Sequence, residues 1–366
     1  MRILLFVHSL RSDWNHGNAH FLRGVMRELV RRGHSVLALE PEDAWSAQNL
    51  AADHGAAALE AFREAYPELR RATYRIDALD PGAVLDGADL VLVHEWNDPA
   101  VVARLGAERA LRPGLRLLFH DTHHRAVTRP EEMARFDLSR YDGVLAFGRV
   151  IHDLYLARGW AARAWTWHEA ADTTVFHPIP GAPRSGDLVW IGNWGDDERT
   201  AELHEFLLGP VADLGLAADV YGVRYPEPAR RALEEAGIVY RGWLPNHRVP
   251  TTFARHAVTV HVPRRPYVQS LPGIPTIRPF EAMACGIPLV SSPWDDAEGL
   301  FRPGRDYLVA RDGAEMRRHL RAILHEPALA RALEASGLET IRARHTCVHR
   351  VDELLAIARE LGVPAA

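Results

Sequence analysis

The 366-residue chain contains no lysine, so all 43 of its basic residues are arginine. Without an ε-amino group, Schiff-base catalysis, pyridoxal-phosphate attachment and the phosphate-binding lysine of a P-loop are excluded. Any charged side chain that meets a phosphate must be an arginine, which binds through a planar fork of donors. Cysteine is also scarce. Cys285 and Cys347 are too few for a disulfide framework, and the expected compartment is reducing and cytoplasmic. No apolar run reaches the roughly 20 residues of a membrane span, which leaves contact with a membrane surface open. The apolar run at Arg2–Val7 is too short for a signal peptide. Net charge is −5, and no basic block or tail offers a footprint for nucleic acid. Internal repeats and low-complexity tracts are missing as well.

What is present is a regular alternation. At this length two domains are the default, and 47% apolar with 25% charged residues fits a globular chain. Apolar runs suited to buried parallel strands occur at Ile3–Val7, Ser35–Leu39, Ala88–Val93, Leu115–Phe119 and Gly143–Ala146. A polar loop, Ser9–His20, precedes a helix whose inner face is Leu22, Val25, Met26, Leu29 and Val30. A second series starts near Gly186. Its strands read as Asp187–Ile191, Ala218–Tyr221, Val239–Tyr240 and Val258–Val262, its helices as Glu198–Leu208, Ala229–Ala236 and Val249–His256. Trp167–Ser185, rich in proline and polar residues, reads as a hinge. Beyond Ala314 the chain is mostly helical and ends on an amphipathic segment, Arg350–Leu361. The expected fold class is α/β, with two doubly wound domains. The first covers 1–178 and the second 179–345. A C-terminal helix over 346–366 packs across the domains and returns to the first.

The densest signal is Ile274–Ser292, IPTIRPFEAMACGIPLVSS. Pro279 suits a first helical position, which puts Glu281 in the first turn, where the helix dipole favours negative charge. Gly286 fits the residue after the helix, Pro288 forbids its continuation, and Leu289 and Val290 open a strand. A carboxylate held at a helix start on the rim of a parallel sheet can grip a vicinal diol such as a ribose. An ordinary helix-start glutamate without a ligand fits the same residues.

Two further clusters carry chemistry. His120 ends the Leu115–Phe119 strand, with Asp121, Thr122, His123 and His124 after it. Three histidines and an aspartate in five residues suit acid–base work or a metal. Consecutive positions on a turn rarely surround an ion, so no metal is expected. His94-Glu95-Trp96-Asn97 ends another strand and lines a cleft or packs the core. His345 and His349 lie four apart and share a helical face if that segment is one helix; the expected role is packing.

Four separated segments resemble glycosyltransferases with two facing Rossmann-like domains (the GT-B fold) of the family-4-like type. They are Asp172–Pro178 (DTTVFHP), similar to the interdomain linker; Leu188–Glu202, similar to the phosphate-side loop; Val239–Val262, similar to the base-binding segment; and the 274–292 stretch. Arg278–Gly286 (RPFEAMACG), His345–Leu355, Gly17–His20 and Arg31–Val36 resemble spore-maturation-protein (CgeB)-like members in particular. The absence of lysine separates the chain from phosphorylases of the same fold.

The resemblance implies a metal-independent, retaining, hexosyltransferase-type enzyme without a cofactor. It would move a sugar from a nucleoside diphosphate to a small molecule, glycan, lipid or protein. It implies donor contacts at Gly17, Asn18, Asn193, Trp194, Arg199, Gly242, Trp243, Arg264, Arg265, Arg278 and Glu281. Within these, Glu281 holds the ribose, Arg199 clamps the leaving diphosphate, one of Arg264 and Arg265 is a second clamp, and Trp243 stacks on the base. His120 meets the donor sugar or moves a proton, with Asp121 as the alternative base. The chain departs from the larger group at Gly273, where an acid stands eight positions before the later glutamate. A non-catalytic sugar-nucleotide-binding protein and a GT-B sugar-nucleotide epimerase are the alternatives.

Overall fold

The computed structural model describes residues 1–12, 17–195 and 197–364, with Gly17 and Asn18 described by their backbone alone. Two compact units emerge. One holds residues 1–12, 18–169 and the chain from Cys347 onward; the other holds 170–346.

The first unit is built on seven parallel strands: β1 (Arg2–Phe6), β2 (Ser35–Pro41), β3 (Arg71–Tyr74), β4 (Leu90–His94), β5 (Arg116–Asp121), β6 (Gly143–Ala146) and β7 (Ala164–Thr166). Their order is β3-β2-β1-β4-β5-β6-β7. Helices cover both faces, so the strands are apolar throughout; Leu90, Val91, Val93, Leu117, Leu118 and Phe119 are wholly buried. Each such side chain stabilises the fold by about 1.5–3 kcal/mol relative to exposure. The C-terminal helix Cys347–Glu360 belongs to this unit. The Trp167 indole donates to the Arg350 carbonyl at 2.9 Å, and Arg32 pairs with Asp352 at 2.6 Å. Trp167 and Ala170 are wholly buried, so the segment expected to be a hinge starts as packed chain. The bridge Ala171↔Thr346 ties the two ends of the second unit together.

The second unit has six parallel strands: β8 (Gly186–Ile191), β9 (Ala218–Tyr221), β10 (Ile238–Gly242), β11 (His256–His261), β12 (Leu289–Ser291) and β13 (Leu308–Val309), ordered β10-β9-β8-β11-β12-β13. In both units the order reverses beside the first strand, at β1/β4 and at β8/β11. Ligands of open α/β sheets bind beyond the strand carboxyl ends at such points.

Several boundaries differ from the sequence reading. His120 lies at the strand end as read, but β5 runs one residue further: His120 and Asp121 pair with Leu145 and Ala146 of β6 and so point to opposite faces. The 274–292 helix starts at Ile277, which makes Pro279 its third residue and moves Glu281 out of the first turn. Proline is tolerated there because the first four helical N–H groups have no intrahelical partner. Thr276 caps that start with φ 63°, and Gly286 ends it with φ 64° as expected. The helix expected over Glu198–Leu208 begins at Thr200 and widens into a π turn at His204–Leu208. His345 ends one helix, Pro327–Arg344, while His349 lies in the next, Cys347–Glu360, so they share no helical face. The short strands β3, β7 and β13 lack a continuous apolar signal and escaped the reading.

Candidate functional site

In the second unit, charge collects at the carboxyl ends of β8 and β11. The chain leaves β8 through Gly192–Gly195. Gly195 has φ 97°, and a Cβ there would stand 3.1 Å from Arg199 Nε and 3.5 Å from Arg264 Nε. Only glycine serves both the conformation and the approach of two guanidiniums. Arg199 donates to the carbonyls of Asn193, Trp194 (3.4 Å) and Val262 (2.8 Å), which ties the loop after β8 to the loop after β11. Burial, and then the like charge of Arg264, pulls its pKa down to about 9, so it remains a cation at neutral pH.

Two acids after this turn pair with arginine. Glu198 binds Arg264 at 3.1 Å, and Glu202 binds Arg265 at 2.8 Å. Arg265 also donates to the Asp197 carbonyl at 2.7 Å. Asp197 Oδ1 accepts from the Thr200 hydroxyl at 3.2 Å, and the helix has no side-chain cap from the chain before it. Asp196 lies outside the described residues. Neither Arg264 nor Arg265 is a solvated lone charge.

Glu281 is wholly buried. It forms a close ion pair with Arg278 and accepts from Asn246 Nδ2 at 3.2 Å. Asn246, in the turn after β10, carried no sequence signal. His261 is another unforeseen member. It ends β11, its Nδ1 lies 2.9 Å from Ser291 Oγ, and burial followed by Arg199 and Arg278 holds its pKa down to about 3. The influence of both arginines on one ring brings Arg199 and Arg278 into a single cluster. Trp194 departs from it: it is packed in the hydrophobic core, with its indole N–H on Thr200 Oγ1 at 3.0 Å. Asn193 Oδ1 is taken by the Val223 amide at 3.0 Å. Gly242 ends β10 with φ 72°, and Trp243 after it is half-buried.

At Gly273 the backbone has φ 88°, and a Cβ would meet Glu298 Cγ and Oε1 at 2.6 Å. The Gly273 amide donates to the Asp295 carbonyl at 2.7 Å. The space a side chain at 273 would take is therefore filled by a glutamate from the 295–298 loop.

In the first unit, His94 faces His120 across β4 and β5. His120 is wholly enclosed by the rings of Phe21, His94 and Trp167, at centroid distances of 6.0, 5.2 and 5.0 Å. Neither ring nitrogen has a hydrogen-bond partner among the described residues. Burial holds the ring neutral, with its pKa down to about 3. Asp121 is differently placed: Oδ1 accepts from the His123 amide at 3.0 Å, and Oδ2 from the Tyr155 hydroxyl at 2.9 Å. Glu95 is buried beside Arg125 in a close ion pair. Burial lifts both carboxyls above the usual range against the pull of Arg125. Gly17 and Asn18 open the helix Gly17–Arg31, and their side chains fall outside what is described. Among the described residues no group of three or more His, Cys, Asp or Glu could hold a metal ion, and no helix is long and apolar enough to cross a membrane.

The whole chain superposes on known enzymes. Sucrose-phosphate synthase of Thermosynechococcus elongatus matches with TM-score 0.66 at 17% identity, covering 99% of each chain. The fold is GT-B. HepE of Anabaena, in complex with UDP and glucose, matches with TM-score 0.65 at 13% identity over 98% of this chain and 100% of that one. An alpha-glucosyltransferase in complex with UDP-glucose and DNA matches with TM-score 0.67 at 14% identity over 98% and 99%. By sequence, residues 199–356 match the family described as glycosyl transferase-like. That segment starts at Arg199 and carries most of the GT-B second unit with its arginine cluster. No curated protein matches the sequence.

Proposed function

We propose that the chain is a glycosyltransferase. It moves a hexosyl group from a nucleoside-diphosphate sugar to an acceptor hydroxyl, with retention and without a metal ion. The observation that carries this reading is the cluster of Arg199, Arg264 and Arg278 with the Glu281 carboxylate at one sheet switch point. A diphosphate needs fixed positive charge as it departs, and guanidiniums held by carbonyls and carboxylates supply it without reorganising. Glu281, already oriented by Arg278 and Asn246, suits the two hydroxyls of a ribose. Trp243 is the candidate for the base. Trp194 and Asn193 shape the loop through their own packing and hydrogen bonds.

In the first unit, His120 supports hydrogen bonding to the donor sugar over proton transfer. Its ring is neutral at any working pH and is a weak base, and neither buried nitrogen has a hydrogen-bond partner among the described residues. Asp121 serves by orienting the turn through His123 and Tyr155. The reading as a silent binding protein rested on the missing acid at Gly273, and Glu298 now occupies that space.

UDP-glucose is the first donor to test, because the matched alpha-glucosyltransferase holds it and HepE holds UDP and glucose. The protein should bind UDP and release it from UDP-glucose in the presence of acceptor and EDTA, and the product's anomeric proton coupling should report retention. His120→Ala should lower kcat by about 10²-fold, the scale of one catalytic hydrogen bond, and His120→Gln should recover part of it. Binding of no nucleotide sugar, with no nucleotide released, sinks the proposal. Isomerised donor in the absence of acceptor favours an epimerase.

A further inference from the structure

Among the described residues only Trp45 and Trp96 are exposed tryptophans, at 41% and 39%, and both stand at the carboxyl edge of the first sheet. Trp45 opens the helix after β2, with its ring 4.9 Å from that of His8 beyond β1. Trp96 lies two residues beyond β4. Its ring carries the Arg125 guanidinium 4.0 Å from the centroid, and the edge of His123 lies 5.2 Å away. Asn97 straps these loops together: its Nδ2 donates to the Phe6 carbonyl at 2.8 Å, and its Oδ1 accepts from Tyr74 at 3.0 Å. The two indoles thus flank the β1/β4 switch point, where ligands of such sheets sit.

Neither ring is a loose surface residue. Arg125 is locked by buried Glu95, so Trp96 has a cation fixed on one face. The Trp96 amide donates to His94 Nδ1 at 3.3 Å, and the His94 ring touches His120. His8 is neutral, its pKa pushed down to about 4 by burial, and its Nε2 has no hydrogen-bond partner among the described residues.

We propose that Trp45 and Trp96 are stacking platforms for a saccharide acceptor; the proposal rests on the glycosyl-transfer reading. An indole offers a rigid contact with a negative face, suited to the weakly positive C–H face of a pyranose. Polar rings stand beside both platforms and suit hydroxyls: His8 lies against Trp45, with an Nε2 that has no hydrogen-bond partner among the described residues, and His123 lies against Trp96. A lipid acceptor would need a continuous apolar surface. Of the first unit's exposed aliphatic side chains, Leu111 and Leu156 lie at helix C-termini, at the opposite edge of the sheet, and Val348 lies beside Arg32, just past the C-terminus of the helix Gly17–Arg31.

Saturation-transfer NMR on the whole protein with methyl hexosides and disaccharides tests this without turnover. Ring C–H signals should saturate, fall at least 5-fold in Trp45→Ala and Trp96→Ala, and largely survive in Trp45→Phe and Trp96→Phe. Absence of saccharide saturation overturns the proposal. So does saturation indifferent to both alanine variants, saturation by uridine alone, or sugar transfer only to lipid or peptide hydroxyls. If saccharides saturate through the tryptophans but no donor is turned over, the platform stands and the transferase reading falls.

Discussion

At the scale of single residues, the site is defined by which charges are already answered. Glu281 and Arg278 neutralise each other inside the protein, and removing either breaks a buried ion pair. Glu281→Ala should therefore cost about 3–5 kcal/mol of folding stability, the usual penalty for breaking such a pair from one side. Glu281→Gln, which still accepts from Asn246, should cost less. Urea unfolding of the two variants checks this ordering. Both should also weaken UDP binding, because the carboxylate that suits the ribose is gone. A Glu281→Ala protein as stable as the parent would mean that Arg278 has another answer in the fold.

At the scale of elements, the loops at each switch point are held to one another more than to their own helices. Arg199 joins the loops after β8 and β11; Asn97 joins those after β4 and β1. The Gly273 loop is held by the 295–298 loop in the same way. Gly273→Glu should be destabilising twice over: φ 88° disfavours a side chain, and Glu298 already occupies its space. A loss of about 1–3 kcal/mol is expected for strain of this kind. Gly273→Glu combined with Glu298→Ala should recover the steric part but not the backbone part. Thermal melting of the single and double variants measures both. Equal melting temperatures for Gly273→Glu with and without Glu298 would show that the collision is relieved at no cost.

At the scale of the whole molecule, buried histidines set the acid limb of stability. His8, His120 and His261 ordinarily titrate near 6.5 but are held down to about 4, 3 and 3. In that window the unfolded chain binds more protons than the folded one, so acidification favours unfolding. Their contribution is whole above pH 6.5 and is lost as pH falls through the folded values. Glu95 and Asp121 work in the opposite sense. Their raised values make the folded state hold protons longer, so their contribution declines as pH rises above the ordinary carboxylate range. Urea midpoints should fall between pH 7 and pH 4. A His120→Asn, His261→Asn variant, neutral at both positions, should show a shallower fall. An unchanged slope in that variant would assign the acid limb to other groups.

The sequence by itself determined the two parallel sheets, because strands buried on both faces must be apolar throughout and such runs are visible locally. It also determined, by lacking lysine, that arginine is the cationic side chain open to any phosphate, and marked the Arg278–Gly286 stretch, whose glycine stop is a local conformational demand. Tertiary structure decided the rest. The partners of Arg264 and Arg265 come from the loop and helix after another strand, and nothing in the local pattern around Asn246, His261 and Glu298 marks them as neighbours of Glu281, Arg278 and Gly273. His120 and Asp121 looked alike as neighbours at a strand end. Strand pairing with β6 turns them to opposite faces, leaving one ring without a hydrogen-bond partner among the described residues and both oxygens of the other side chain engaged. Spacing in the sequence records local geometry, whereas burial and ion pairing depend on which strand ends lie side by side.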